Sequence, residues 1–345
     1  MQFREEVVMS VLLSKSSLVA IMLFLSSGSV LTSSDFRLRM PIDCTVGVDC
    51  HIQNFFDHDP GPGFRDYACG FLGYDGHDGT DLRLPNLAAM RRGVPVLAAA
   101  PGTVRAIRDE MPDVSIRDGG VDAIRGREAG NAVVLRHGPD WETQYSHLLR
   151  GSVRVRPGDA VEAGDVLGLV GLSGKTEFPH VHFEVRHQGE AVDPFVGLRR
   201  GDACGVGIEP LWDAQVLRSL AYRPTGLLKA GFATREPDAV IVEAGGEPHT
   251  DVSADAPALV FWVEVFGARK GDRETLRIVG PDGQVVTART KTIAGNKARW
   301  MSYVGRRLRG TGWPAGTYRG TYRLERADAA GEETVLEISR SVTVR

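Results

Sequence analysis

Several things are scarce in this chain, and each scarcity narrows its chemistry. Only four cysteines occur in 345 residues, and no two are spaced Cys-x-x-Cys. A zinc ribbon or a dithiol redox pair is therefore not expected. The formal net charge is −3, which leaves no basic footprint for nucleic acid and no long-range pull toward an anionic polymer. Recognition of any partner must then be local. No His-Glu-x-x-His segment is present, so a metal site built on one helix face with a glutamate base is excluded.

Long apolar runs are also missing. The run Leu18–Leu25 is too short for a bilayer span, which needs about 20 residues. Lys15 precedes it and small residues follow, with a plausible cut near Ser27–Ser29. This predicts an export signal over residues 1–29, with an uncleaved anchor as the alternative. Glu5 and Glu6 suit an export signal poorly, so Met9 is an alternative start. A periplasmic or extracellular protein, with no stable membrane span after cleavage, is the expectation. In an oxidising compartment Cys44, Cys50, Cys69 and Cys204 should form two disulfides. Three pairings are open. Cys44–Cys50 with Cys69–Cys204 is preferred, since the second would tie the start of one region to its end.

Histidine is where the chain becomes informative. His180 and His182 lie one residue apart in Phe178-Pro-His-Val-His-Phe-Glu-Val185. On a strand, residues two apart share a face, so both imidazoles would point one way, and Val181, Phe183 and Val185 the other. Upstream, Tyr74-Asp-Gly-His77-Asp-Gly-Thr-Asp81 offers a histidine and a carboxylate in a glycine-rich loop. Helix is disfavoured there, because each glycine costs about 1 kcal/mol in a helix interior. His77, Asp81 and one histidine of the pair make a donor set suited to zinc, with a fourth position left for water. A third segment, Thr143-Gln-Tyr-Ser-His147-Leu-Leu149, lies between them. Alone, a strand histidine is more often a packed core residue than a ligand. Glu184 shares the face of His182, and either supports the site or pairs with Arg186. His51, His58, His137, His187 and His249 have no such context and read as surface or loop residues.

Taken in order, His77-x-x-x-Asp81, Tyr145-Ser-His147-Leu and Pro179-His-Val-His182-Phe-Glu resemble the lysostaphin/LytM-type zinc metallopeptidases over residues 65–200. The resemblance implies one zinc per chain, bound by His77, Asp81 and His182. It implies that His147 and His180 flank the attacking water as general base and oxyanion donor. It also implies a peptidoglycan peptide as substrate, hydrolysed at an amide bond. A zinc protease of glycine-rich proteins and a non-enzymatic regulator of wall hydrolysis are the other readings. The family often has glycine where this chain has Phe178, which would reshape the adjoining groove.

Length predicts two domains. Short apolar runs separated by glycine turns, among them Gly102–Ile107, Asn131–Arg136, Val153–Val155 and Val166–Val170, read as an all-β region. Residues 108–130 interrupt it with a polar stretch, expected to wall a substrate groove. The doubled Gly-Asp pattern at Gly158-Asp159 and Gly164-Asp165 also occurs in lipoyl carrier folds. No lysine lies between the repeats to carry a cofactor, so that reading is set aside. A short helix is expected within Leu211–Leu220. Seven runs from Ala239 to Val344, joined by Pro-Asp-Gly and Pro-Ala-Gly turns, suggest an immunoglobulin-like β-sandwich. The organisation predicted is signal 1–29, metallopeptidase domain 36–200 with an irregular lead-in, connector 201–236 and accessory sandwich 237–345.

Overall fold

The computed structural model describes residues 36–120, 122–199, 204–246, 248–328 and 331–345. The expected export signal lies outside them. No helix among the described residues is long and apolar enough to cross a membrane.

The first unit runs through β1 (His51–Asn54), β2 (Thr80–Arg83), α1 (Leu87–Arg91), β3 (Pro95–Leu97), β4 (Gly102–Arg108), α2 (Ile116–Gly119), β5 (Asn131–His137), β6 (Trp141–Leu148), β7 (Ala160–Val161), β8 (Val166–Leu169), β9 (His180–His187) and β10 (Glu190–Ala191). An antiparallel sheet has the order β1-β2-β9-β6-β5-β4-β7, with β10 on β9, and β3 pairs β8 separately. Alternation along the central strands gives the sheet two unlike faces. Leu82, Val181, Phe183, Val185, Tyr145 and Leu135 are buried in one core. Asp81, Arg83, His180, His182 and Glu184 turn to the other face. Val153–Val155, expected as a strand, joins no ladder. Both disulfides have the preferred pairing, Cys44–Cys50 and Cys69–Cys204.

Helix α3 (Ala214–Ser219) packs Val216 and Leu217 on the core of the first unit. The second unit contains β11 (Gly226–Ala233), α4 (Ala239–Ala244), β12 (Asp251–Val252), β13 (Ala258–Ala268), β14 (Arg273–Val279), β15 (Val285–Thr292), β16 (Lys297–Arg307), β17 (Gly316–Asp328) and β18 (Gly331–Val344). Two sheets, β11-β13-β16 and β12-β18-β17-β14-β15, enclose one core that includes Phe261, Val263, Leu276, Tyr322 and Leu324. Gly320 makes the close approach of the sheets possible, since a Cβ there would lie 2.3 Å from the Phe261 ring. The all-β expectation holds for both units.

One expected strand is a helix instead. Ala239-Val-Ile-Val-Glu243 reads as a strand from its β-branched residues, yet it is helix α4. The Asp238 side chain accepts from the N–H groups of Val240 and Ile241, and Gly245 ends the helix at φ 97°. Caps at both ends outweigh the modest β preference of three side chains. Strand β11 lies within the stretch read as a connector and pairs β13.

Candidate metal centre

Antiparallel pairing sets the site. Asp81 lies opposite His182 and Arg83 opposite His180 across β2 and β9, and directly opposed residues share a face. His77 enters from the glycine-rich loop before β2. His77 Nε2 is 3.2 Å from Asp81 Oδ1 and 3.2 Å from His182 Nδ1, and His182 Nδ1 is 2.9 Å from Asp81 Oδ1. All three residues are buried. Donors at about 2.1 Å around a tetrahedral ion stand about 3.4 Å apart, so these atoms lie close to the spacing that holds one divalent metal.

The other atoms of the three side chains are committed elsewhere, which fixes which atom faces inward. The His77 Nδ1–H donates to the Phe55 carbonyl at 2.7 Å. Asp81 Oδ2 accepts from Asn54 Nδ2 at 2.7 Å, leaving Oδ1 toward the histidines. His182 Nε2 lies 3.3 Å from Asp78 Oδ1. Such outer partners fix ring orientation and ligand basicity. Asn54, Phe55 and Asp78 were not found from sequence. Asn54 ends β1 and Phe55 follows it, inside a segment read as irregular.

Gly79 shapes the site by lacking a side chain. A Cβ there would be 2.7 Å from His182 Cε1 and Nε2, and 2.7 Å from the Phe183 carbonyl. Only glycine leaves room for the imidazole.

His147 and His180 adjoin the cluster. Their rings are 4.6 Å apart, and His147 is 6.1 Å from the His182 ring. His180 Nε2 is 3.4 Å from Asp81 Oδ1. Each ring is anchored through Nδ1: His147 donates to the Ser173 carbonyl at 2.8 Å and His180 to the Phe178 carbonyl at 2.9 Å. His147 has φ 64°, a conformation that costs a non-glycine residue about 1–3 kcal/mol. The backbone is held there from both sides, by His147 N to Ala129 O and by Gly171 N to His147 O.

Electrostatics separate His182 from His147. Burial raises the Asp81 carboxyl, but the His77 and His180 imidazoles and its hydrogen bonds overcome this and hold it well below the usual range. Burial lowers His182, yet bonds to Asp78 and Asp81 push it up to about 10 in the absence of metal. Burial, then the adjacent His180 and His182, holds His147 well below its ordinary value. The site therefore combines an ionised carboxylate with a neutral, strained imidazole.

Among the remaining histidines, His51 and His137 are buried in strands and His187 ends β9, which corrects the surface or loop reading, whereas His58 lies in a loop and His249 is exposed, as expected. His51 is buried and stacks on Phe266 at 5.0 Å. His137 bonds Pro101 O and Thr143 Oγ1. His58 is 2.7 Å from Asp193. His187 is half-buried against Trp141, and His249 bridges Phe232. Glu184 is buried and ion-paired with Arg186. Residues 108–130 pack on the segment that anchors both unligated histidines: Leu172 N donates to Asp113, Ile116 N to Thr176 O, and Lys175 N to Glu128 O.

Residues 75–194 match Peptidase family M23. Over 130 residues the chain is 32% identical to an uncharacterized metalloprotease of Haemophilus influenzae, covering 38% of this chain and 22% of that protein. Over 117 residues it is 31% identical to the peptidoglycan DD-endopeptidase ShyA of Vibrio cholerae, covering 34% and 22%. The match thus spans 22% of the length of these relatives. Among solved structures, a zinc-containing peptidase from Vibrio cholerae is 26% identical, with TM-score 0.31, over 46% of this chain and 38% of that one. The catalytic domain of lysostaphin from Staphylococcus simulans is 25% identical, with TM-score 0.26, over 39% and 86%.

Proposed function

From the premise that residues 75–194 are a peptidase family M23 domain, we propose that the chain is an exported zinc metalloendopeptidase that cuts peptides of peptidoglycan. The observation that carries this reading is the convergence of His77, Asp81 and His182 donor atoms within 3.2 Å, with His147 and His180 beside them. Zinc suits two imidazoles and one carboxylate with an open fourth position. Two disulfides fit an oxidising, extracytoplasmic compartment. Peptidoglycan as substrate rests on the relatives' named activity.

When bound, zinc supplies Lewis-acid polarisation of the scissile carbonyl and acidifies a water. The chain's own residues do the rest. Asn54 and the Phe55 carbonyl hold Asp81 and His77 in place, so ligand geometry does not relax during turnover. His147 and His180 present Nε2 inward because Nδ1 of each is tied to a carbonyl. One of them takes the water's proton and returns it to the leaving amine. The other, protonated on both nitrogens, donates a hydrogen bond from Nε2 to the oxygen on which charge develops. Burial of both rings strengthens each contact.

The proposal is tested by assaying release of peptides from purified peptidoglycan before and after metal removal. Loss with a chelator and recovery with zinc is expected. Undiminished release after complete metal removal would refute it.

A further inference from the structure

Arg83 lies two residues from Asp81, on the same face of β2 and opposite His180. Its side chain is 2% exposed and meets the second unit. Arg83 Nη2 pairs with Glu243 of α4 at 3.1 Å. Glu243 also pairs with Arg299 of β16, and Arg299 pairs with Glu264 of β13. Arg83 Nη1 donates to Gln53 Oε1 at 3.1 Å, and Gln53 Nε2 donates to the Ala298 carbonyl at 3.3 Å. Toward the site, the Arg83 guanidinium lies 4.3 Å over the Phe178 ring. The Phe178 ring is 4.8 Å from the His180 ring, and its carbonyl anchors His180 Nδ1.

Such a network is weak evidence for stability, since packed apolar residues in place of buried ion pairs are often as stable or more so. What the network does achieve is location. The docking is close: a Cβ on Gly245 would lie 2.2 Å from Ala88 Cβ of α1, and Arg91 Nη2 donates to the Ala244 carbonyl.

We propose that the C-terminal sandwich is a working wall of the catalytic groove, in which Glu243 is a positioning residue that acts on His180 through Arg83 and Phe178. Glu243 neutralises and aims Arg83. Arg83 clamps the Phe178 ring. Phe178 in turn fixes the ring and Nδ1 bond of His180. The chain of contacts reaches the candidate ligands only through His180, whose Nε2 is 3.4 Å from Asp81 Oδ1, while Asp81 stays held by Asn54 and His77 by the Phe55 carbonyl, so metal affinity should change little.

The inference rests on the peptidase reading only where activity is measured, so two readouts are needed. In zinc-loaded protein carrying nitrogen-15 histidine, Glu243→Gln should shift the His180 ring signals and leave those of His77 in place, and Glu243→Asp should restore them. On a soluble cross-linked muropeptide, Glu243→Gln should lower kcat roughly tenfold, as expected for a small displacement of a reacting group, with zinc affinity unchanged. In a Phe178→Ala background the same change should cost less than about twofold, because coupled residues are non-additive. Unmoved His180 signals, or a full tenfold loss that adds to that of Phe178→Ala, would overturn the proposal. If the unaltered protein cleaves nothing, the peptidase reading falls, and the ring signals still decide this one.

Discussion

Adding one methyl at Gly79 should cost the protein its metal before it costs the fold. The Cβ would stand 2.7 Å from two atoms of the His182 ring and from the Phe183 carbonyl. Ordinary carbon contacts lie at about 3.5 Å, so the ring or the β9 backbone must give by about 0.8 Å. Metal sites tolerate deviations of only about 0.2 Å in ligand distance. The ring is the softer partner, because β9 is hydrogen-bonded on both sides by β2 and β6. Gly79→Ala should therefore weaken zinc binding at least 10–100-fold, the loss seen when ligand orientation is disturbed. Overpacking should destabilise the fold by about 1–3 kcal/mol. Gly76→Ala is the control. Gly76 has φ 74° and nothing within 4 Å of an added Cβ, so it should cost about 1–2 kcal/mol of stability through the left-handed backbone and leave affinity intact. Competition against a chromophoric chelator reads affinity, and urea unfolding reads stability. If Gly79→Ala binds zinc like the unaltered protein, the steric reasoning is wrong.

Other consequences can be checked separately. His147→Ala and His180→Ala should each retain zinc and lose about 10²–10⁴-fold in kcat, whereas His77→Ala and His182→Ala should lose the metal; elemental analysis beside the activity assay distinguishes them. Burial, then the charge of Arg83, lowers His51 from 6.5 to about 3. The unfolded chain binds that proton and the folded one does not, so His51's contribution is complete above pH 6.5 and is lost as pH falls toward 3. By linkage this amounts to about 2 kcal/mol between pH 7 and pH 5, and urea titrations of His51→Gln should show a shallower acid loss. Cys69–Cys204 closes a separation of 135 residues and Cys44–Cys50 one of 6. Chain entropy then predicts losses of about 5 and 2 kcal/mol when each is removed, measurable with paired Cys→Ser variants.

What could be read in advance followed from local periodicity. The His180–His182 alternation places both rings on one strand face, and that holds in β9. Glycine-punctuated apolar runs announced a β protein, and the even cysteine count announced its crosslinks. The features that escaped reading depend on contacts distant along the chain. Asn54 reaches Asp81 only because β1 pairs β2 with a register shift between Ile52 and Asn54. Arg83 meets Glu243 across 160 residues, and no spacing rule anticipates it. His147 has a left-handed backbone without the glycine that usually marks one. His51 and His137 look like loop residues locally, yet both are buried once the sheets close. Ala239–Ala244 shows the reverse limit: β-branched composition misled, while the capping residues Asp238 and Gly245 were there to be read.

The central claim, hydrolysis of peptidoglycan peptides at the His77–Asp81–His182 centre, is tested most directly by mass spectrometry of material released from purified peptidoglycan. The zinc-loaded protein should release peptides with new amine and carboxyl ends, and His182→Ala, folded but without metal, should release none. Identical release by both proteins, or none from a protein that demonstrably holds zinc, would contradict the account.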